Sequence, residues 1–224
     1  FPMFRNREAA ARELADALQT LSLVEPLILA IPCGGMVIGS VLASRFGAEL
    51  DVYLCRKMRS TKSGHSLGAV SESGAMAIDR SANGIDAVTA ESLVEERSRQ
   101  MMQIACSQST FRAVRAPASI AGRSVVVADD GLVTGSTMMA ALDGIRRNTI
   151  RELVAAVPIA SSQRLAAIRR RCDRTICVIE RDEISELNEC YAEFPKVSED
   201  EAVQLLKNAN SEAGRSNALK VRPL

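Results

Sequence analysis

The stretch VVVADDGLVTGST, residues 125–137, runs from four small apolar residues into two aspartates, then into a turn carrying two glycines and three hydroxyl residues. A short Val/Ala run of this kind is the pattern of a strand buried on both faces of a parallel sheet. Asp129 and Asp130 fall at its C-terminal end, beyond which ligands gather in open sheets of this class. The turn leads into MMAALDGIRR, which reads as a helix. The unpaired N–H groups of that helix start therefore converge near the hydroxyls of Thr134, Ser136 and Thr137. Such a spot suits a phosphate. Carboxylates close by would repel the same phosphate, so they serve another part of the ligand, either a sugar's hydroxyls or a metal ion. A phosphorylated ribose meets both halves.

The same alternation of apolar runs with helical periods extends along the chain. Strands are predicted at LILAI (27–31), LDVYLC (50–55), SVVVAD (124–129), ELVAAVPI (152–159) and TICVI (175–179). Helices are predicted over NREAAARELADALQTL with Asn6 as cap, over 36–46, from about Thr89 to Thr110, and over 136–147. Ser198 and Glu201 have the spacing of a capping box for a last helix. The expectation is an α/β fold with a Rossmann-like parallel sheet flanked by helices. MRSTKSGHSLGAVSESGA interrupts the alternation with Ser, Gly and charge. Its first half reads as a loop and SLGAVSE as a short strand outside the parallel series.

The 224 residues, 47% of them apolar, can fill one sizeable core. One main domain is expected over residues 1–209, followed by a flexible tail over 210–224, which has little to bury. Lys and Arg number 28 against 27 Asp and Glu, a net charge of +1, so no global field exists to hold nucleic acid or an anionic membrane. The apolar run PLILAIP is too short to cross a bilayer, and FPMFRNREAA lacks the pattern of a secretion signal. These features set the expectation of a soluble cytoplasmic protein with no nucleic-acid or membrane partner. Six scattered cysteines without a C-x-x-C pair, and the single His65, argue for reduced thiols rather than a zinc site.

Other phosphate motifs are eliminated: GLVTGST has no lysine where a nucleotide-triphosphate loop requires one, and no G-x-G-x-x-G occurs. With those set aside, VVVADDGLVTGST resembles the phosphoribosyl pyrophosphate (PRPP) signature of the type I phosphoribosyltransferases. The resemblance continues through FRNREAAARELADAL, IPCGGMVIGSVLASRFGAELDVYLCRKM, LGAVSESG, AVPIASSQRL and YAEFPKVSEDEA, covering most of the first 206 residues. It is similar in that breadth to a bacterial branch of the family. It implies the type I fold with a small hood or lid region. The implied activity is Mg²⁺-dependent transfer of ribose 5-phosphate from PRPP to a nucleobase-like acceptor, with release of pyrophosphate. A homodimer is the implied assembly.

Residue by residue, the resemblance implies that Asp129 and Asp130 hold the ribose 2′ and 3′ hydroxyls and bear on the metal, if only indirectly through those hydroxyls. Gly131, Leu132, Val133, Thr134, Gly135, Ser136 and Thr137 would hold the 5′-phosphate. Pro32, Cys33, Gly34 and Gly35, with Arg56 and Lys57 directly after the strand 50–55, would clamp the pyrophosphate; Arg56 and Lys57 join the aspartates as catalytic candidates. A lid loop at about 58–66 would bring Arg59, Lys62 and His65 over the site. Three departures stand out. Relatives in the branch carry an arginine where Cys33 stands, the 58–66 segment is more basic and serine-rich than theirs, and Val133 occupies the place of the acidic residue of 6-oxopurine enzymes. The last argues against a hypoxanthine or guanine acceptor. The first two favour the alternative of a PRPP- or nucleotide-binding regulator with little turnover. A hydrolase lacks both a G-x-S-x-G elbow and a triad. Asp130→Asn is expected to weaken ribose binding with the fold intact. Met101, Met102, Met138 and Met139 read as core, and Arg169–Arg171 as a solvated helix face. Phe111, Tyr191 and Phe194 are candidates for stacking on a flat base, with core packing the favoured reading of each.

Overall fold

The computed structural model describes residues 2–61, 63–79 and 89–220, with side chains described through residue 209. Five strands form one parallel sheet: β1 (Leu27–Ala30), β2 (Glu49–Val52), β6 (Ser124–Ala128), β7 (Glu152–Ser161) and β8 (Arg174–Arg181), in the order β2-β1-β6-β7-β8. Successive side chains of a strand point to opposite faces, and the sheet splits the apolar residues into two cores accordingly. Ile28, Ala30, Val126, Ala128, Val154 and Ala156 face one side, with α1 (Arg7–Leu18), α2 (Gly34–Phe46), α3 (Ala90–Val114) and α6 (Glu199–Lys220). Leu27, Leu29, Val125, Val127, Leu153 and Ala155 face the other, with α4 (Ser136–Ile145) and α5 (Ser162–Arg169). Burial on both faces is why β1, β6 and β7 read as continuous apolar runs.

The predicted strand 50–55 is two strands in two sheets. Tyr53 N still donates to Ala30 O of the parallel sheet at 2.9 Å, but Leu54 N turns to Glu72 Oε2 at 2.9 Å. The chain then enters β3 (Cys55–Arg59), which pairs antiparallel with β4 (Ser66–Ser71) and through it with β5 (Met76–Ile78). β4 lies outside the parallel series, as its sequence indicates. This small sheet packs against α4, where Gly144 leaves no room for a Cβ beside the hydroxyls of Tyr53 and Ser73.

Both predicted helix caps near the ends of the chain form. Asn6 Oδ1 accepts from Ala9 N at 2.9 Å at the start of α1, and Ser198 and Glu201 make the reciprocal bonds of a capping box at the start of α6. The backbone of α6 remains helical through Lys220. Met102 departs from its core reading: it is 64% exposed on α3, whereas Met138 and Met139 are buried. Among the described residues all six cysteines are free thiols, and no helix is long and apolar enough to cross a membrane.

Candidate functional site

The order β2-β1-β6-β7-β8 places a switch point between β1 and β6. From β1 the chain passes through α2 to β2 on one side, and from β6 through α4 to β7 on the other. The carboxyl ends of those two strands are where ligands bind in open sheets of this class. One wall of this site is Pro32–Gly35, whose Pro32–Cys33 peptide is cis; the other is Asp129 and Asp130. The two walls touch. A Cβ on Gly34 would overlap Asp130 Oδ2, and one on Gly35 would stand 2.9 Å from Ala128 O and 3.2 Å from Asp129 Oδ1. The paired glycines are therefore what lets the loop approach the acids, which goes beyond a tight turn.

The two acids meet different surroundings. Asp130 is buried and its Oδ2 accepts from Arg7 Nε at 2.8 Å, the side chains being 12% and 9% exposed. Its main-chain oxygen accepts from Tyr191 Oη at 2.6 Å. Asp129 is half-buried, with Oδ1 accepting from Asp130 N at 2.9 Å. Burial, then the charge of Asp130, push the Asp129 carboxyl well above the ordinary aspartate range, and Lys57 opposes them. At Cys33, burial and then Glu199 raise the thiol, while Arg56 and Lys196 pull it down. Arg56 and Lys57 lie inside β3, which corrects their placement after a strand end. Their neighbours Cys55 and Met58 are buried, so the basic pair belongs to a half-buried strand.

The turn after the acids divides by residue. Leu132 is not a free phosphate donor: its N–H is spent on Ile159 O at 2.9 Å and its side chain is core. Gly135 caps α4 in the left-handed region at φ 71°, and Ser136, Thr137 and Met138 follow as the first turn. Their amides have no intrahelical carbonyl to reach, the arrangement that favours an anion. Thr134 Oγ1 and Ser136 Oγ lie 3.1 Å apart, a hydroxyl pair at the same spot, with Val133 and Gly131 completing the turn.

The expected lid is a β-hairpin. Met58 and Arg59 belong to β3 and Ser66 to β4, so the connection is 60–65. Arg59 is tied back, its amide to Glu96 Oε1 at 3.0 Å and its guanidinium to Gly64 O at 3.3 Å. His65 is exposed at the end of that turn, and Lys62 lies outside the described residues.

Arg7, Lys196 and Glu199 escaped the sequence reading, which offered Tyr191 and Phe194 as core or as stacking partners for a base. Tyr191 is buried between Phe4 and Phe194, whose ring carries the Arg7 guanidinium at 3.7 Å. One signal was available: Arg7 is a cation in the first turn of a helix, where the dipole disfavours positive charge. Among the described residues no group of three or more His, Cys, Asp or Glu could hold a metal ion; the aspartates supply two carboxylates.

Comparison with known proteins bears on this geometry. A family model for the phosphoribosyl transferase domain matches residues 4–194. Two Mycobacterium tuberculosis proteins, from strains CDC 1551 and H37Rv, each named "Putative phosphoribosyl transferase", are 28% identical over 99% of this chain. The chain spans 51% of the length of those relatives. The crystal structure of TT1426 from Thermus thermophilus superposes with a TM-score of 0.77 at 31% identity, covering 92% of this chain and 98% of that one.

Proposed function

The chain belongs to the phosphoribosyl transferase family, and from that premise we propose that it transfers the ribose 5-phosphate of PRPP to a nucleobase-like acceptor. The observation that carries the reading is the contact between Gly34–Gly35 and the acid pair across the switch point. A ligand at that switch point meets carboxylates, loop amides, a cationic strand and a helix start at once. The C1–oxygen bond to pyrophosphate breaks with its electron pair leaving on pyrophosphate, a bond from C1 to an acceptor nitrogen forms, and the proton that nitrogen carried passes to water. The transition state is oxocarbenium-like, so stabilising the departing negative charge while excluding water is the main task.

In this assignment Asp129 and Asp130 accept from the ribose 2′ and 3′ hydroxyls. The turn 131–137 holds the 5′-phosphate through the amides at the start of α4 and the hydroxyls of Thr134, Ser136 and Thr137. Arg56 and Lys57, with Pro32–Gly35, would hold the pyrophosphate. The hairpin 60–65, with Arg59, Lys62 and His65, would screen the site from water. Asp129 and Asp130, the two carboxylates at this point among the described residues, are the hard oxygen donors that would suit Mg²⁺. When bound, that ion neutralises charge on the pyrophosphate. Val133 cannot exchange a proton with the acceptor, which favours an acceptor other than a 6-oxopurine.

A second reading, a PRPP- or nucleotide-binding regulator with little turnover, draws on Cys33, a neutral side chain in the pyrophosphate loop. Incubation with PRPP, Mg²⁺ and a panel of nucleobases separates the two. Pyrophosphate release above a protein-free control is expected. A melting temperature that rises with PRPP and Mg²⁺ while no acceptor yields product would instead favour the regulator.

A further inference from the structure

Arg7 occupies a position that chemistry disfavours twice. It is a cation at the amino end of α1, where the helix dipole repels positive charge, and it is buried, where an ion needs a partner. Its guanidinium is held on three sides. Nε donates to Asp130 Oδ2 at 2.8 Å, Nη1 donates to Pro195 O at 2.7 Å, and the plane lies over the Phe194 ring at 3.7 Å. Gly34 closes the fourth side, since a Cβ there would come within 2.9 Å of Nε.

The segment that supplies Pro195 and Phe194 is itself fixed to the chain just before α1. Phe4 and Tyr191 form a parallel bridge, Ala192 N donates to Phe4 O at 2.9 Å, and Glu193 N donates to Arg5 O at 2.8 Å. Tyr191 then reaches the main chain of Asp130. Residues 4–7 and 191–195 thus form a brace with two attachments to Asp130, one on its carboxylate and one on its carbonyl. None of these residues needs to touch a ligand to matter.

We propose that Arg7 is a positioning residue that sets the rotamer of Asp130, so that Oδ1 is presented to a vicinal diol while Oδ2 is retained by the guanidinium. This deepens the reading above and rests on it. Where the arginine is absent, Asp130 is free to turn, and its contribution to recognising a diol is lost while the phosphate loop, held by β7 and α4, is unaffected.

Calorimetric titration of the full chain in Mg²⁺ tests it with three probes: ribose 5-phosphate, 2-deoxyribose 5-phosphate and inorganic phosphate. The wild-type chain is expected to prefer ribose 5-phosphate over the deoxy sugar by about tenfold, the worth of a hydrogen bond to a charged acceptor. In Arg7→Met that preference is expected to fall to about twofold or less while phosphate binding stays within about twofold. Arg7→Lys, which keeps the charge but cannot hold Asp130 and Pro195 together, should recover part of it. If Arg7→Met does not fold, Phe194→Leu decides, because it removes the ring under the guanidinium and should lower the same preference. Retained discrimination in the decisive variant, or parallel loss for all three probes, overturns the proposal. A wild-type chain that does not distinguish the two sugars overturns the functional reading along with it.

Discussion

At Asp129 both burial and the adjacent Asp130 charge disfavour ionisation, whereas Asp130 has Arg7 against its Oδ2. Substitutions at the two should therefore diverge. Asp130→Asn leaves Arg7 buried without its counter-ion, so its cost of about 3 kcal/mol reaches the fold as well as the ligand. The ion pair thus argues for a cost to the fold that the expectation of an intact fold leaves out. Asp129→Asn removes a carboxylate whose folded pKa is raised. An ionised acid of that kind opposes folding at neutral pH and ceases to do so once it is protonated in both states. Asp129→Asn is accordingly expected to melt higher than wild type at neutral pH, with the gain vanishing as pH falls below the ordinary aspartate range, and to bind ribose 5-phosphate more weakly. Thermal melts across pH, with and without the sugar phosphate, check both halves.

At the level of elements, α1 serves the site through its first turn. Asn6 Oδ1 caps Ala9 N and thereby fixes the turn that aims Arg7. Asn6→Ala should cost about 1 kcal/mol, read as a fall in melting temperature of roughly 2–4 °C. The cap was legible because Asn before an apolar period is a local signal. So were the valine run, the aspartates at its end and the helix that follows, since each is set by neighbours in sequence. The passage of the chain from β2 to β3 was not, because 50–55 is apolar on either side of the break and only Glu72 shows where the ladder ends. Arg56 and Lys57 were misplaced for the same reason. Arg7 was missed because its partner lies 123 residues away, and no local pattern encodes that distance.

Across the whole molecule, several further ion pairs lie away from the candidate site. In β2, Glu49 takes Arg115 and Arg123, while Asp51 takes Arg112 Nη1 at 2.7 Å and Ala118 N at 2.8 Å, fastening the end of α3 to that strand. Burial alone would raise the Glu49 carboxyl, but the hydrogen bond and charge of Arg123 and the charge of Arg115 hold it below the usual glutamate value. Asp173 is likewise lowered, its burial outweighed by the Leu153 amide and by Arg146. Acids with depressed folded pKa values stabilise above their unfolded values and lose that contribution as pH falls through the folded ones. Stability measured by urea unfolding should therefore decline from about pH 5 to about pH 3, and Glu49→Gln should flatten part of that slope. An unchanged slope would mean that these pairs do not govern the acid limb.

The pairing of residues 4 and 5 with 192 and 193 has a consequence for biosynthesis. A ribosome delivers the two aspartates well ahead of Tyr191, whose hydroxyl grips Asp130 from 61 positions downstream. The nascent polypeptide accordingly has only Arg7, already made, to offer Asp130 until that partner has emerged, and the second attachment is a late event of chain elongation.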